Sequence, residues 1–82
     1  MDDVNVVFFV DRKSFPVKCP ELDDFETLVR GNILELTTES PTEFFRRAIS
    51  LTDDYELVVP VTRNMFVRDR LRQEGVSLVV CL

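Results

Sequence analysis

The 82-residue sequence contains no histidine, two glycines and two cysteines. Histidine is the commonest general base and metal ligand, so its absence removes the simplest route to acid–base or metal chemistry. Gly31 and Gly75 stand alone and cannot form a glycine-rich phosphate loop. Cys19 and Cys81 fit no metal-binding spacing, and thiols in apolar strands are usually inert. We therefore expect no catalysis, no metal and no cofactor.

The chain also lacks a long apolar run and a basic start. No segment approaches the roughly 18 consecutive apolar residues of a membrane span, and the residues after Met1 are acidic where a signal peptide is basic. The net charge of −5 disfavours broad nucleic-acid binding. These features predict a cytoplasmic protein that does not bind membranes, and they disfavour nucleic acid as a partner. The start at Met1 and the stop in an apolar segment at Leu82 predict the N-terminal domain of a longer chain.

Apolar residues are plentiful: they make up 45% of the sequence and include seven phenylalanines. This composition predicts one globular domain over residues 1–82 with a modest core. Residues 76–82 are the most apolar stretch, without charge or proline and rich in β-branched side chains. They predict a strand inside a sheet, because such a strand would promote aggregation at an edge. Its nearest counterpart is residues 4–10. We expect strand 76–82 to lie parallel to strand 4–11, between it and strand 55–62.

The first half of the chain predicts a hairpin over residues 4–19 and a helix that begins after Pro20 and is interrupted near Gly31. The apolar stripe of that helix is Leu22, Phe25, Leu28, Val29 and Ile33. Ser40, Pro41 and Glu43 combine an N-cap serine, a proline at the first helical position and a reciprocal glutamate. They predict a helix over residues 41–51.

The second half predicts a strand over residues 55–62, in which one side of the strand is either unpaired or bulged at Pro60. The remaining segments are predicted as a turn at 62–64, a short strand at 65–67 and a polar helical turn at 68–74. The order of elements is strand, strand, divided helix, strand, short strand, helical turn and strand.

This order resembles the β-grasp arrangement of ubiquitin. The segments that carry the resemblance are Leu57–Val61, Met65–Val67, Asp69–Leu71 and Leu78–Val80. They look like the closing half of ubiquitin-like domains of the PB1 and doublecortin kind, and the layout is similar to ubiquitin-like domains that precede coiled-coil cytoskeletal scaffolds. The resemblance implies an α+β fold, a mixed sheet with helices packed on one face, and a scaffold or cytoskeletal setting. The alternative is a ferredoxin-like sandwich, although the weak apolar face of residues 68–74 disfavours its second crossover helix.

Alternation along the strands predicts an exposed apolar patch. If the helices cover the side chains of Val4, Val6, Phe8 and Val10, then Val7 and Phe9 face outward, because adjacent strand residues point to opposite sides. The same alternation places Val58, Val79 and Cys81 on the outer side. With helices on one face only, these side chains would form a partner-binding patch.

Basic residues are predicted to form a rim beside that patch. They are Arg12, Lys13, Lys18, Arg63, Arg68, Arg70 and Arg72. The main hypothesis is a non-catalytic module for protein–protein interaction or assembly, which binds a protein partner or a second copy through the patch and the rim. The alternatives are a ubiquitin-like modifier and a nucleic-acid-binding domain. The net charge disfavours the latter, and we expect no stacking aromatic side chain near the arginines.

Overall fold

The computed structural model describes residues 5–29, 31–37, 40–76 and 78–82. A four-stranded sheet and three α-helices occupy these ranges, so the expected α+β class is confirmed in its general sense. The elements are β1 (Val6–Asp11), α1 (Pro20–Leu28), β2 (Asn32–Leu36), α2 (Pro41–Leu51), β3 (Leu57–Thr62), α3 (Met65–Gln73) and β4 (Val80–Cys81). A short 3₁₀ helix, Arg12–Ser14, follows β1. Among the helices in the described ranges, none is long and apolar enough to cross a membrane.

The sheet has the strand order β2-β1-β3-β4, and every strand pair in the described ranges is parallel. The mixed sheet expected from the β-grasp resemblance needs antiparallel hairpins, so the observed topology differs from that layout. Residues 15–19 form a loop into α1 and not the second strand of a hairpin. Among the described strands, β4 pairs with β3 alone and lies at the sheet edge, whereas β1 and β3 pair directly with each other. The prediction that the last strand lies between them is wrong.

Helices cover both faces of the sheet. The ring of Phe8 meets Phe25 of α1 edge-on at 5.8 Å between centroids, and the ring of Phe9 stacks on Phe44 of α2 at 4.8 Å. Because adjacent strand residues point to opposite sides, α1 and α2 lie on opposite faces. The expected packing of helices on one face is therefore wrong. A nearly continuous apolar run such as that of β1 is typical of a parallel strand buried on both sides.

The larger apolar cluster lies between the sheet and the helices α2 and α3. Its buried members are Val7, Phe9, Phe44, Ala48, Leu51, Val58, Val67 and Leu71. The α2 residues among them recur at intervals of four and three, and the α3 residues at an interval of four, so each helix turns one stripe toward the sheet. The smaller cluster lies under α1 and contains Val10, Phe15, Cys19, Leu22 and Val61.

The predicted helix over residues 41–51 is confirmed, with Ser40 at the N-cap position and Pro41 as its first residue. The backbone oxygen of Ser40 accepts from the N–H groups of Glu43 and Phe44, at 3.1 and 3.4 Å. The Ser40 side chain makes no capping hydrogen bond. Proline at the first position costs no helical hydrogen bond, because that N–H has no partner within a helix.

The interruption predicted near Gly31 is confirmed, since α1 ends at Leu28. The chain then continues as strand β2, which the sequence pattern did not predict. Ile33, expected on the helical stripe, pairs in register with Phe8 of β1. All five residues of β2 pair with consecutive β1 residues, so hydrogen bonding to β1 determines the conformation here.

Helix α3 replaces the predicted short strand at 65–67 and helical turn at 68–74. Asn64 caps its start: the side-chain oxygen accepts from the N–H groups of Phe66 and Val67, at 3.0 and 3.2 Å. Its end is a Schellman motif, in which Val76 N–H reaches the Leu71 carbonyl at 3.0 Å and Gly75 N–H reaches Arg72 at 3.1 Å. Gly75 has a φ of +95°, which strongly favours glycine.

Strand β3 lies within the predicted range of residues 55–62. It pairs with β1 through Pro60, but its pairing with β4 begins one residue later, at Val61. This agrees with the prediction that one side of the strand is unpaired or bulged at the proline. β4 itself contains only two residues, whereas a strand over residues 76–82 was expected.

Replacing Phe44 with alanine should reduce the free energy of unfolding by about 3–5 kcal/mol, because the side chain is fully buried and stacked on Phe9. The matched change Phe66→Ala, on α3, should cost less than about 0.5 kcal/mol because Phe66 is 87% exposed. Denaturant midpoints of the two variants give the comparison. Equal losses would contradict the orientation of α2 or of α3.

Candidate functional site

The apolar patch predicted on an outer sheet face is covered. Val7, Phe9 and Val58 are 0%, 2% and 6% exposed, and Val79 is half-buried against the same cluster. Helices α2 and α3 lie over these side chains. The alternation along β1 was correct over Val6–Val10, and Val4 lies outside the described residues. Both sets of side chains are covered, so Val7, Phe9 and Val58 are not available to a partner.

The predicted basic residues fall into two groups and not one rim. Arg12, Lys13, Lys18 and Arg63 lie in the segments that follow β1 and β3, at the carboxyl edge of the sheet. Arg68, Arg70 and Arg72 lie on α3. Arg68 makes an ion pair with its neighbour Asp69 at 3.0 Å.

Three polar side chains form a cluster at the carboxyl edge, between the ends of β1 and β3: Asp11, Ser14 and Thr62. The Thr62 hydroxyl donates to Asp11 Oδ2 at 3.0 Å and accepts from the Asn64 N–H at 3.0 Å. The Ser14 hydroxyl donates to the Asp11 carbonyl at 2.9 Å and accepts from the Arg63 N–H at 3.0 Å. The cluster thus ties the loop after β1 to the loop after β3.

Asp11 is an unusual member of this cluster because it is only 5% exposed, and Thr62 is fully buried. Burial raises the pKa of Asp11, whereas hydrogen bonds from Thr62 and Ser14 act in the opposite direction. Both hydroxyl protons are donated within the cluster. This arrangement therefore stabilises the junction of the two loops.

A second set of polar side chains links α1 to β2, through the interaction of Glu26 with Glu35. Burial, the neighbouring Glu35 carboxylate and a hydrogen bond with Glu35 raise the pKa of Glu26 on α1, while Arg12 lowers it. Glu26 Oε1 and Arg12 Nη1 are both buried, and neither has a hydrogen-bond partner in the described ranges. A buried acceptor without a partner destabilises the ionised carboxylate in particular.

A groove of about 660 Å³ lies on the outer side of helices α2 and α3. Its lining residues are Pro41, Thr42, Phe45, Asn64, Phe66, Val67, Asp69, Arg70 and Gln73. The N-terminal ends of both helices contribute, and both follow the carboxyl ends of strands. Asn64 connects the groove to the carboxyl-edge cluster, since its N–H binds Thr62 and its side chain caps α3.

The α3 wall of the groove follows from helical spacing. Val67 and Leu71 face the core, so Phe66, Arg70 and Gln73, at intervals of four and three, form a stripe beside the groove. Phe66 is 87% exposed and its neighbour Met65 is 58% exposed. The Arg70 guanidinium lies 5.2 Å from the centre of the Phe45 ring on α2. The contact with Phe45 holds this charge at the groove.

The groove therefore combines apolar side chains with a cation and could bind a chain that offers both an apolar and an acidic group. Arg70 was a predicted binding residue; Phe45, Phe66 and Gln73 were not. The four-residue spacing of Phe66 and Arg70 was the available signal, but it has meaning only if residues 65–73 are a helix. Because residues 65–67 were predicted to form a strand, this spacing was not recognised.

No family model matches the chain, and searches of curated proteins and of solved structures found no match either. The described ranges also contain no group of three or more carboxylate, thiol or imidazole side chains that could hold a metal ion. The function is therefore inferred from the chemistry of this chain's own surface.

The change Glu26→Gln should increase the free energy of unfolding at neutral pH. The folded-state pKa of Glu26 is raised, so its protonated form contributes stability below the unfolded-state pKa, and that contribution is lost as pH rises through the folded-state pKa. The glutamine side chain can donate a hydrogen bond to Glu35 and carries no negative charge. Thermal unfolding from pH 4 to pH 8 should show the variant's advantage growing with pH. An advantage that is constant with pH, or a loss at pH 8, would contradict this account.

Proposed function

We propose that this chain is a non-catalytic protein-binding module whose α2–α3 groove takes an acidic segment of a partner protein that also carries a large apolar side chain. One observation carries the proposal: Phe66 is 87% exposed beside Arg70, whose guanidinium is held over the Phe45 ring. The chain is still proposed to be an interaction module, as the sequence predicted. The proposed binding surface is now the α2–α3 groove and not the face of the sheet.

The apolar part of the groove provides the anchor. A phenylalanine this exposed gains little from the fold of its own domain, whereas covering it by a partner removes its apolar surface from water. Aromatic and arginine side chains are the residues that most often dominate the affinity of protein interfaces. Phe66, Phe45 and Arg70 supply both kinds within one groove.

The charges on α3 favour an acidic partner. Arg68, Arg70 and Arg72 lie on this helix, against one acid within it, Asp69. The remainder of the chain is acidic, since the whole sequence has a net charge of −5. A basic helix on an acidic domain steers an acidic segment to the groove and repels it elsewhere. Raising the salt concentration should therefore slow association more than it changes dissociation.

Selection from a displayed library of random peptides tests the proposal directly. With the wild-type chain as bait, the enriched peptides should combine acidic residues with an aromatic or large aliphatic residue. Phe66→Ala should weaken binding of an enriched peptide at least tenfold, as expected for a central anchor. Arg70→Glu should weaken it in a salt-dependent way, mainly through slower association. Binding can be measured by titration of labelled peptide.

Val17→Ala is the matched control, because Val17 is 96% exposed and lies before α1. It should leave peptide binding unchanged. Enriched peptides that bind Phe66→Ala and the wild type equally would place the site elsewhere. A single-stranded oligonucleotide that bound tightly and lost its affinity in Phe66→Ala would instead make the groove a base-stacking surface and overturn the proposal.

A further inference from the structure

Within the part of the chain that the structure describes, β2 and β4 are the two edge strands of the sheet, and β2 is the longer. β2 contains five residues and pairs, among the described residues, with β1 alone, whereas β4 contains two residues. Ile33 and Leu34 of β2 are 36% and 37% exposed. They lie on opposite faces of the sheet, because Ile33 is in register with Phe8 and Leu34 with Phe9. Apolar surface is thus exposed on both sides of the same edge.

Natural edge strands usually carry a feature that disfavours pairing with another chain, such as a charged side chain (most often lysine), a proline, a bulge or very short length. β4 is short. β2 has neither lysine nor proline, and its register with β1 runs through five consecutive pairs without a bulge. Glu35 is its one charged residue. The row of outward N–H and C=O groups on such an edge is a template for pairing with another strand.

We infer that β2 is a self-association edge, at which a second copy of this chain adds its own β2 antiparallel to form a continuous eight-stranded sheet. A two-fold axis brings identical edges together antiparallel, and two-fold dimers are the commonest symmetric assemblies. With the axis at Leu34, this residue meets its own copy, Ile33 meets Glu35, and Asn32 meets Leu36. No like charges stand directly opposite, and the exposed apolar side chains on both faces gain a neighbour.

This register makes a charge-swap experiment decisive. Leu34→Lys and Leu34→Glu each place two like charges at the axis, so each variant alone should dimerise at least tenfold more weakly than the wild type. Mixed together, they place lysine opposite glutamate and should form a heterodimer. Sedimentation equilibrium gives the mass and affinity of each sample. Higher salt should strengthen the wild-type dimer, because each copy carries a net charge of −5.

Met65→Lys is the control, since Met65 is exposed on α3 and not on the β2 edge; it should dimerise like the wild type. Circular dichroism of each Leu34 variant checks that it is folded, and Ile33→Lys provides a second disruption of the same edge. A wild-type chain that stays monomeric at its highest soluble concentration overturns the inference. So does a dimer that tolerates Leu34→Lys, or a charge-swapped pair of folded variants that does not associate.

Discussion

The structure depends on a central strand that is apolar on both sides. Phe8 and Phe9 are adjacent in β1, and their rings pack against helices on opposite faces of the sheet. A layer of helices on one side would leave one of these rings in water, at a cost of about 1.5–3 kcal/mol for a side chain of this size. Both faces must therefore be covered. Parallel strands joined by crossover helices meet this requirement.

Covering both faces determines which surfaces remain for partners. The face that would have displayed Phe9 is closed, so the exposed apolar groups lie at the periphery, with Phe66 beside the α2–α3 groove and Leu34 at the β2 edge. These surfaces differ in chemistry. The groove offers a cation beside aromatic rings and suits an acidic segment, whereas the edge offers backbone hydrogen bonds and suits a strand. One domain could use both at once, because they involve different elements.

The carboxyl-edge cluster connects the core to the groove. Thr62 donates to the buried carboxyl group of Asp11 and accepts from the N–H of Asn64, and Asn64 then caps α3. The start of α3, and with it the position of Phe66, is thus linked by hydrogen bonds to the ends of β1 and β3. Such a polar junction specifies one loop arrangement, because each of its buried groups would lose a partner in another.

Local signals in the sequence were sufficient for several elements. Ser40 and Pro41 marked the start of α2, and the interruption predicted near Gly31 lies shortly after the end of α1 at Leu28. The positive charge of Arg70 led to its prediction as a binding residue, and Arg70 lines the proposed groove. In each case the physical cause acts within a few residues along the chain, so the sequence alone determines the outcome.

Contacts between distant segments of the chain decided the rest of the fold. Ile33 fits a helical stripe as well as a strand, and its pairing with β1 made it a strand. The apolar run of residues 76–82 predicted burial inside the sheet, but β4 lies at the sheet edge. None of the described residues in this run is fully buried, and most of its expected length is not strand. Phe66 became a groove residue only because Asn64 began a helix whose other face is buried. Strand order, the packing of helices on each face and the exposed surface arise from contacts between distant segments. Periodicity along the chain does not indicate which segments will meet.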